Sequence, residues 1–521
     1  IAAKFCPSTV EVLAKQKNTK AFIILSAGFH EENEEGAKLE RQIVETINSV
    51  GGSLIGPNCI GVLTNHYSGV FTSPIPELNP QGVDLISGSG ATALFIMDSG
   101  MQKGIKFNSM YSVGNSAQLG VEEILEYMDE SFDPKMSSRV KLLYVESIEK
   151  PEKLLKHASS LIRKGCRIAA VKSGGSAAGS RAASSHTGAL ASSDVAVEAL
   201  FRKAGIVRCN GRDELMTVAG IFMHPEMKGR NMAVVTHAGG PAVMLTDALS
   251  NGGMDVPHIE GEKAQELLVK LFAGSSVGNP IDFLATGTAE QLGYILDACD
   301  RDFDNIDGMA VIFGSPGLFP VFDVYNVLDE KMKISKKPIF PIFPSSKIVK
   351  DEIAEFVSKG RVYFPDEVLF GNALCKIYKT PAPQPEHFEM PDMDVKKIRE
   401  VVDNAQNGYL SPDEIHVLLD AAGVARAKEG VSDNEEEIVK MAKEIGFPLV
   451  MKVVGPIHKS DVGGVVLNVS DEETVRREFK RMMQIKDTYA IMLAQQLSGT
   501  QVFIGAKRDD KFGHMVLCGL G

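Results

Sequence analysis

VDLISGSGATALFIMDSG, residues Val83–Gly100, sets an apolar run, a Ser-Gly-Ser-Gly turn and a second apolar run in direct succession. The first run is short and rich in Val, Ile and Leu, the pattern of a strand buried on both faces. The second is long enough for a helix. Strand, glycine turn and helix open a parallel α/β unit. The amides at the start of such a helix lack intrahelical partners and attract anions. Ser87, Gly88, Ser89 and Gly90 are therefore candidate phosphate-binding positions. A plain tight βα turn would read the same way.

The same layout recurs on both sides. AFIILSAGF (Ala21–Phe29) reads as a buried strand, followed by a helix over Glu34–Val50 with Leu39, Ile43 and Ile47 on one face. SLIGPNCIGVL (Ser53–Leu63) is another strand with a Gly-Pro turn. KLLYVESI (Lys141–Ile148) is a strand ending in Glu146. Carboxylates at such strand ends face the ligand crevice of an open α/β sheet, although a solvated glutamate is the plainer reading of Glu146 alone. MAVVTHAGGPAVMLTDAL (Met232–Leu249) repeats strand, turn and helix a third time.

Between them lies KSGGSAAGSRAASSHTGAL (Lys172–Leu190), small residues closing on the single histidine His186. Glycines let backbone approach a bulky anion, and the helical pattern Leu190–Ala204 follows. One reading makes His186 a nucleophile that carries a phosphoryl group. The other is a Gly/Ser-rich turn with an incidental histidine.

With 521 residues, several domains are expected. A net charge of −12 argues against general nucleic-acid binding, which needs a basic face, but leaves room for a phosphorylated ligand held by amides. No apolar run is long enough to cross a bilayer and no signal peptide is seen. Seven scattered cysteines without a CxxC pair read as thiols in a reducing cytosol, not as zinc ligands. TPAPQPEHFEMPDMD (Thr380–Asp394) is a proline-rich, acidic linker. Beyond it, YLSPDEIHVLLDAAGV (Tyr409–Val424) has a serine N-cap and a proline at the first helical position. FPLVMKVVGPIHKSDVGGVVLNV (Phe447–Val469) is a strand bearing Lys452, a loop bearing His458 and a second strand.

These stretches together resemble the NDP-forming acyl-CoA synthetases, the family of the ADP-forming acetate–CoA ligases, relatives of succinyl-CoA synthetase. RAASSHTGALASSD matches the family's phosphohistidine segment. SAGF, NEEG and GPNCIGV match the end of its CoA-binding domain, SVGN and VESI the ligase domain, and HKSDVGG and RDDKFG its ATP-grasp half. The resemblance implies an α/β chain: a Rossmann-like CoA-binding remnant (1–75), a first flavodoxin-like succinyl-CoA-synthetase-type domain with the phosphohistidine (76–228), a second (229–379), a linker (380–395) and a truncated ATP-grasp domain (396–521).

It implies the reaction acyl-CoA + phosphate + ADP ⇌ carboxylic acid + CoA + ATP, with acetyl-CoA as the expected thioester. His186 becomes the phosphorylated nucleophile, Glu146 its imidazole partner and His458 the relay to ADP. Ser87, Gly88, Ser89, Gly90 and Gly188 become phosphate-binding, Lys452 and Gln495 nucleotide-binding. ATP/ADP, CoA and Mg2+ are the implied cofactors, with the magnesium ligands expected beyond the end of the chain. A cytoplasmic homo-oligomer acting on small molecules, without nucleic acid or membrane, is implied as well. Four positions depart from the family pattern: Gly88 for glutamine, Gln118 for aspartate, His237 for asparagine and Gln501 for glutamate. Two other readings remain: an acyl-CoA- or nucleotide-sensing module of a protein acetyltransferase, which commonly lacks the histidine, and a succinate-type ligase.

Overall fold

A computed structural model describes residues 1–521 except 74, 180, 182–192, 316, 386, 388 and 457–459. It divides into two compact units: Ile1–Gln384 with Arg508–Met515, and Pro385–Lys507 with Val516–Gly521.

The first unit contains three α/β layers. In the first, strands Ala21–Ile23 and Ser53–Ile55 pair in parallel. Helix Glu34–Ser49 covers them, burying Ile43 and Ile47, and Asn33 caps it by accepting from the Gly36 N–H at 2.9 Å.

The second layer is a seven-stranded sheet. Its order is Tyr67–Val70, Gly61–Thr64, Phe107–Ser112, Leu78–Ser87, Val140–Val145, Arg167–Lys172, Val207–Cys209. The last five strands run parallel, and their central segments are almost wholly buried, as expected for a sheet covered on both faces. Gly61–Thr64 and Tyr67–Val70 form an antiparallel hairpin that pairs with Phe107–Ser112, the outermost of the parallel strands. SLIGPNCIGVL thus does not stay in one layer. Ser53–Ile55 belongs to the first sheet, and Gly61 onward to the second, with a cis Gly56–Pro57 bond between. Leu78–Ser87 pairs on one side with the strand that follows it and on the other with the next. That reversal of strand order opens a crevice at the carboxyl ends of these strands.

The third layer is a four-stranded parallel sheet in the order Ile281–Asp282, Met232–Thr236, Gly308–Ile312, Ile339–Ile342. Asp282 anchors its turn by accepting from the Leu284 N–H at 2.9 Å.

The second unit has a four-stranded antiparallel sheet, Glu429–Ser432, Ala490–Gln495, Leu449–Val454, Val465–Val469. Its helix Pro412–Ala421 opens on a reciprocal cap: Ser411 Oγ accepts from the Glu414 N–H, and Glu414 accepts from the Ser411 N–H at 2.7 Å. No helix among the described residues is long and apolar enough to cross a membrane.

Candidate active site

The crevice at the switch point encloses about 690 Å³. The loop after Leu78–Ser87 forms one wall through Gly88, Ser89, Gly90 and Ala91. Ser89 caps helix Gly90–Gln102, its hydroxyl accepting from the Thr92 N–H. The Gly88 N–H is bonded to Tyr144 O at 3.0 Å, and the Ser89 N–H to Ser87 Oγ at 3.2 Å. The amides of Gly90 and Ala91 belong to the first turn, where helix geometry supplies no partner, so they are the donors suited to an anion. Two sequence expectations are corrected here. Ser87 is fully buried with its hydroxyl donating to Ser89 O at 2.7 Å, so it supports the loop and does not line the crevice. The Gly88 amide is likewise used within the fold. Ala91, missed in the sequence, takes a place on the wall.

The two glycines differ in purpose. A Cβ on Gly90 would sit 2.6 Å from Ile60 Cγ2, so close packing requires glycine there. A Cβ on Gly88 would meet only Tyr144 O at 3.7 Å. Glycine at 88 is not sterically required.

Glu146 follows the neighbouring strand Val140–Val145 on a second wall, half-buried, with the Tyr144 hydroxyl 3.4 Å from Oε1. His186 and Gly188 lie outside the described residues, as does His458. The helix that follows the His186 segment is described from Asp194 to Ala204. Lys172, which opens the small-residue stretch, is buried with Nζ on Gly174 O at 3.0 Å, and burial lowers its pKa.

The third wall comes from the first layer. Asn58 and Cys59 follow the cis Gly56–Pro57 bond, and His30 and Glu40 stand beside them. Burial pushes the Cys59 thiol up to about 11, and Sγ contacts Ile24 O at 3.4 Å, so this cysteine is a neutral packing group. Asn115, in the turn before helix Val121–Glu130, does not cap that helix. Instead Glu123 accepts from the Gly120 N–H at that helix start, and Asn115 Nδ2 donates to Glu31 Oε2 at 2.5 Å and Glu40 Oε2 at 3.1 Å. Burial opposes the charge on Glu31, but Asn115 and the N–H groups of Gly28 and Phe29 hold its carboxyl below the usual range. Gln118, the aspartate of the family, uses both halves of its amide. Oε1 accepts from the Leu54 N–H at 2.5 Å, while Nε2 donates to Asn48 Oδ1 at 2.6 Å. An aspartate could not donate.

His237 is no part of this crevice. Its Nε2 bonds Gly314 O at 2.8 Å, its ring stacks on Phe313 and burial lowers its pKa.

In the second unit, Lys452 is half-buried on strand Leu449–Val454 and pairs with Met492, whereas Gln495 pairs with Leu449. Side chains alternate along a strand, so Lys452 and Gln495 project from opposite faces of the sheet. The structure does not bring this pair together. Gly455 has φ +131°, and a Cβ there would lie 2.0 Å from Asp487 O, so this glycine serves a close backbone approach. Among the described residues no group of three His, Cys, Asp or Glu side chains is placed to hold a metal ion. No residue here is assigned to Mg2+.

Residues 80–222 match the model of a succinyl-CoA ligase-like flavodoxin domain, and 401–521 that of an ATP-grasp domain. The chain is 31% identical over 540 residues to the acetate–CoA ligase [ADP-forming] I of Archaeoglobus fulgidus, covering 100% of this chain and 76% of that protein. It is 28% identical over 532 residues to the 4-hydroxybutyrate–CoA ligase [ADP-forming] of Nitrosopumilus maritimus, covering 97% and 74%. In fold it is similar to the acetyl-coenzyme A synthetase 1 of Ca. Korarchaeum cryptofilum, solved with phosphate and ADP, with a TM-score of 0.65, 23% identity and coverage of 73% and 81%. The chain belongs to the NDP-forming acyl-CoA synthetases, the acid–thiol ligase family of the ADP-forming acetate–CoA ligases.

Proposed function

We propose that this chain interconverts acyl-CoA, phosphate and ADP with a carboxylic acid, CoA and ATP, and that its acyl group is acetyl. The observation that carries the reading is the crevice itself. One cavity is walled by a helix start suited to phosphate (Gly90, Ala91), by the strand-end carboxylate Glu146, and by Asn58 and Cys59, whose sequence GPNCIGV resembles the end of the family's CoA-binding domain. Phosphate held at the helix start attacks the thioester carbonyl, giving acyl phosphate and CoA. The phosphoryl group then passes to His186, with Glu146 fixing the ring, and through His458 to ADP beside Lys452. The work falls mainly to positioning and to preorganised amides, as phosphoryl transfer requires. The same reading makes the protein a cytoplasmic homo-oligomer and Mg2+ its metal cofactor.

The test is acid-labile phosphate after incubation of the full-length protein with Mg-ATP, located by mass spectrometry. Phosphate on His186, lost in both His186→Ala and His458→Ala, is the expected result. Its persistence in His458→Ala removes the relay. Its absence from the parent protein, with acyl-CoA still bound, replaces the enzyme by a sensor.

A further inference from the structure

A second cavity, of about 420 Å³, lies at the amino ends of strands Arg167–Lys172 and Val207–Cys209, where Arg167, Ile168 and Val207 line it. Phe340 lines it from the third layer, and Ile377 from helix Glu367–Lys379. The crevice described above stands at the carboxyl ends of the strands, and the two share no lining residue. The size is that of a small-molecule site, and so is the make-up, largely apolar with a few polar groups. The roof is the start of the proline-rich linker. Thr380 Oγ1 donates to Lys376 O at 2.9 Å. Four residues on, the Gln384 N–H donates to Lys203 O at 3.0 Å, and the Gln384 carbonyl accepts from Arg163. The strap between is held at both ends. Its Pro381 and Pro383 are half-buried while Ala382 is exposed, and a Cβ on Gly205 would lie 2.9 Å from Pro383 Cδ. Prolines carry no N–H that an apolar space would leave unsatisfied, so they suit such a roof.

Charge in the lining is confined to Arg167 and Glu226. Arg167 Nη1 donates to Phe222 O at 3.2 Å and to His224 O at 3.4 Å, which fixes the guanidinium. Its Nη2 lies 3.6 Å from Glu226 Oε2, beyond hydrogen-bond distance, and the Glu226 side chain is 79% exposed. A pair so open to water holds weakly. Nε and Nη2 of Arg167 make no hydrogen bond among the described residues. Together they form one edge of the guanidinium, and such an edge grips a carboxylate through two parallel N–H groups. The geometry points to a second small-molecule site in this cavity, for a monocarboxylate with an apolar tail. The tail lies under the strap Thr380–Pro383, and the carboxylate takes the place of Glu226 on Arg167. This site goes beyond the catalytic reading and does not depend on it.

Octanoate is the probe, with octanol as the same tail without the charge, and binding to the full-length protein is followed by titration calorimetry. Octanoate is expected to bind with a Kd below about 1 mM, and octanol more weakly. Arg167→Gln should weaken octanoate about 10- to 100-fold, the scale of charge-assisted hydrogen bonds, and leave octanol nearly unchanged. Ile377→Phe narrows the cavity and should lose both ligands. A diazirine-bearing octanoate, irradiated on the parent protein, should mark residues 222–227 and 377–383, a readout that needs no variant to fold. Octanoate that binds only above the millimolar limit overturns the site. Equal losses of octanoate and octanol in Arg167→Gln overturn it too, since they mark a structural effect and not a carboxylate contact. Unchanged binding in Ile377→Phe, or photolabel confined to the crevice residues Asn58, Gly90 and Ala91, places the acid elsewhere and overturns it as well.

Discussion

Asp84 and Lys141 face each other in register across two neighbouring parallel strands, carboxylate Oδ2 2.5 Å from Nζ, both buried at the centre of the seven-stranded sheet. Asp84 Oδ1 also accepts from Asn108 Nδ2 at 2.7 Å and Ser109 Oγ at 2.6 Å, and Lys141 Nζ donates to Ser138 O at 2.8 Å. Each member of the pair thus has further hydrogen-bond partners beside the other. Losing one member strands a buried charge, which costs about 3–5 kcal/mol, whereas replacing both by apolar groups of similar size is near neutral. Asp84→Leu and Lys141→Met should each lower stability by about that amount in urea unfolding, and the double variant should recover most of the loss. Simple addition of the two single losses would disprove the coupling.

The Ser-Gly-Ser-Gly turn makes a contrast between neighbours. Gly90→Ala drives a methyl into Ile60 and should cost about 1–3 kcal/mol, the usual penalty of overpacking. Gly88→Ala meets only open space and Tyr144 O, so its stability should stay within about 0.5 kcal/mol of the parent. Thermal unfolding of the two variants side by side decides this. Equal effects would mean that the close approach at Ile60 is not what selects glycine.

A buried histidine should make the fold acid-sensitive. His224 packs against Phe340 and Phe364, and burial lowers its pKa to about 4, against a backbone bond to Gly220 O at 2.8 Å that works the other way. Folded His224 is neutral while the unfolded chain protonates near 6.5, so the unfolded state binds more protons as pH falls. Its contribution is fully present above pH 6.5 and is lost progressively between 6.5 and 4, about 2–3 kcal/mol by pH 4.5. His224→Phe should flatten that part of the stability profile. A variant and a parent with parallel curves over pH 7 to 4.5 would refute it.

What could be read beforehand was local. The helix over Glu34–Ser49, the Ser411 cap and the turn at Ser89 follow from spacing and cap chemistry within a few residues. What escaped reading depends on partners far along the chain. Gly61–Thr64 joins the second sheet through antiparallel pairing with Phe107–Ser112, and nothing in GPNCIGVL encodes that pairing. Asn115 sits in a turn before a helix, yet the partners of its side chain are Glu31 and Glu40, over seventy residues away. Ser87 and Gly88 looked like anion donors because the turn was right, but their hydrogen bonds were already taken within the loop and by Tyr144. One signal went unused. Asp84 and Lys141 are charged residues inside apolar strands, and such residues rarely sit in a core without each other.

Gln118 locks the first layer onto the second. Gln118→Asp restores the family's residue but cannot donate to Asn48, and its shorter side chain withdraws from the buried Leu54 amide. Leaving that N–H unsatisfied costs about 1–3 kcal/mol. Hydrogen exchange should show the Leu54 amide losing protection in Gln118→Asp while amides of Val140–Val145 keep theirs. Unchanged protection at Leu54 would show that water or backbone adjustment replaces the glutamine.

Glu146 supplies the sharpest test of the crevice. It stands half-buried just after the strand Val140–Val145, lining the same cavity as Ser89 and Gly90, with the Tyr144 hydroxyl 3.4 Å from Oε1. Glu146→Gln keeps the shape and removes the charge. As a strand-end group that sits on the cavity, it should change stability by no more than about 0.5 kcal/mol. If it orients and charges the His186 ring, the rate of acid-labile phosphorylation from Mg-ATP should fall about 10- to 100-fold, the range seen when a carboxylate behind a histidine is lost. Tyr144→Phe removes the 3.4 Å hydroxyl contact but leaves the charge, so phosphorylation there should stay within about threefold. Rapid-quench labelling of the three proteins separates the roles. A full rate in Glu146→Gln would make the glutamate a solvated strand end, and a matched loss in Tyr144→Phe would move the orienting role to the tyrosine.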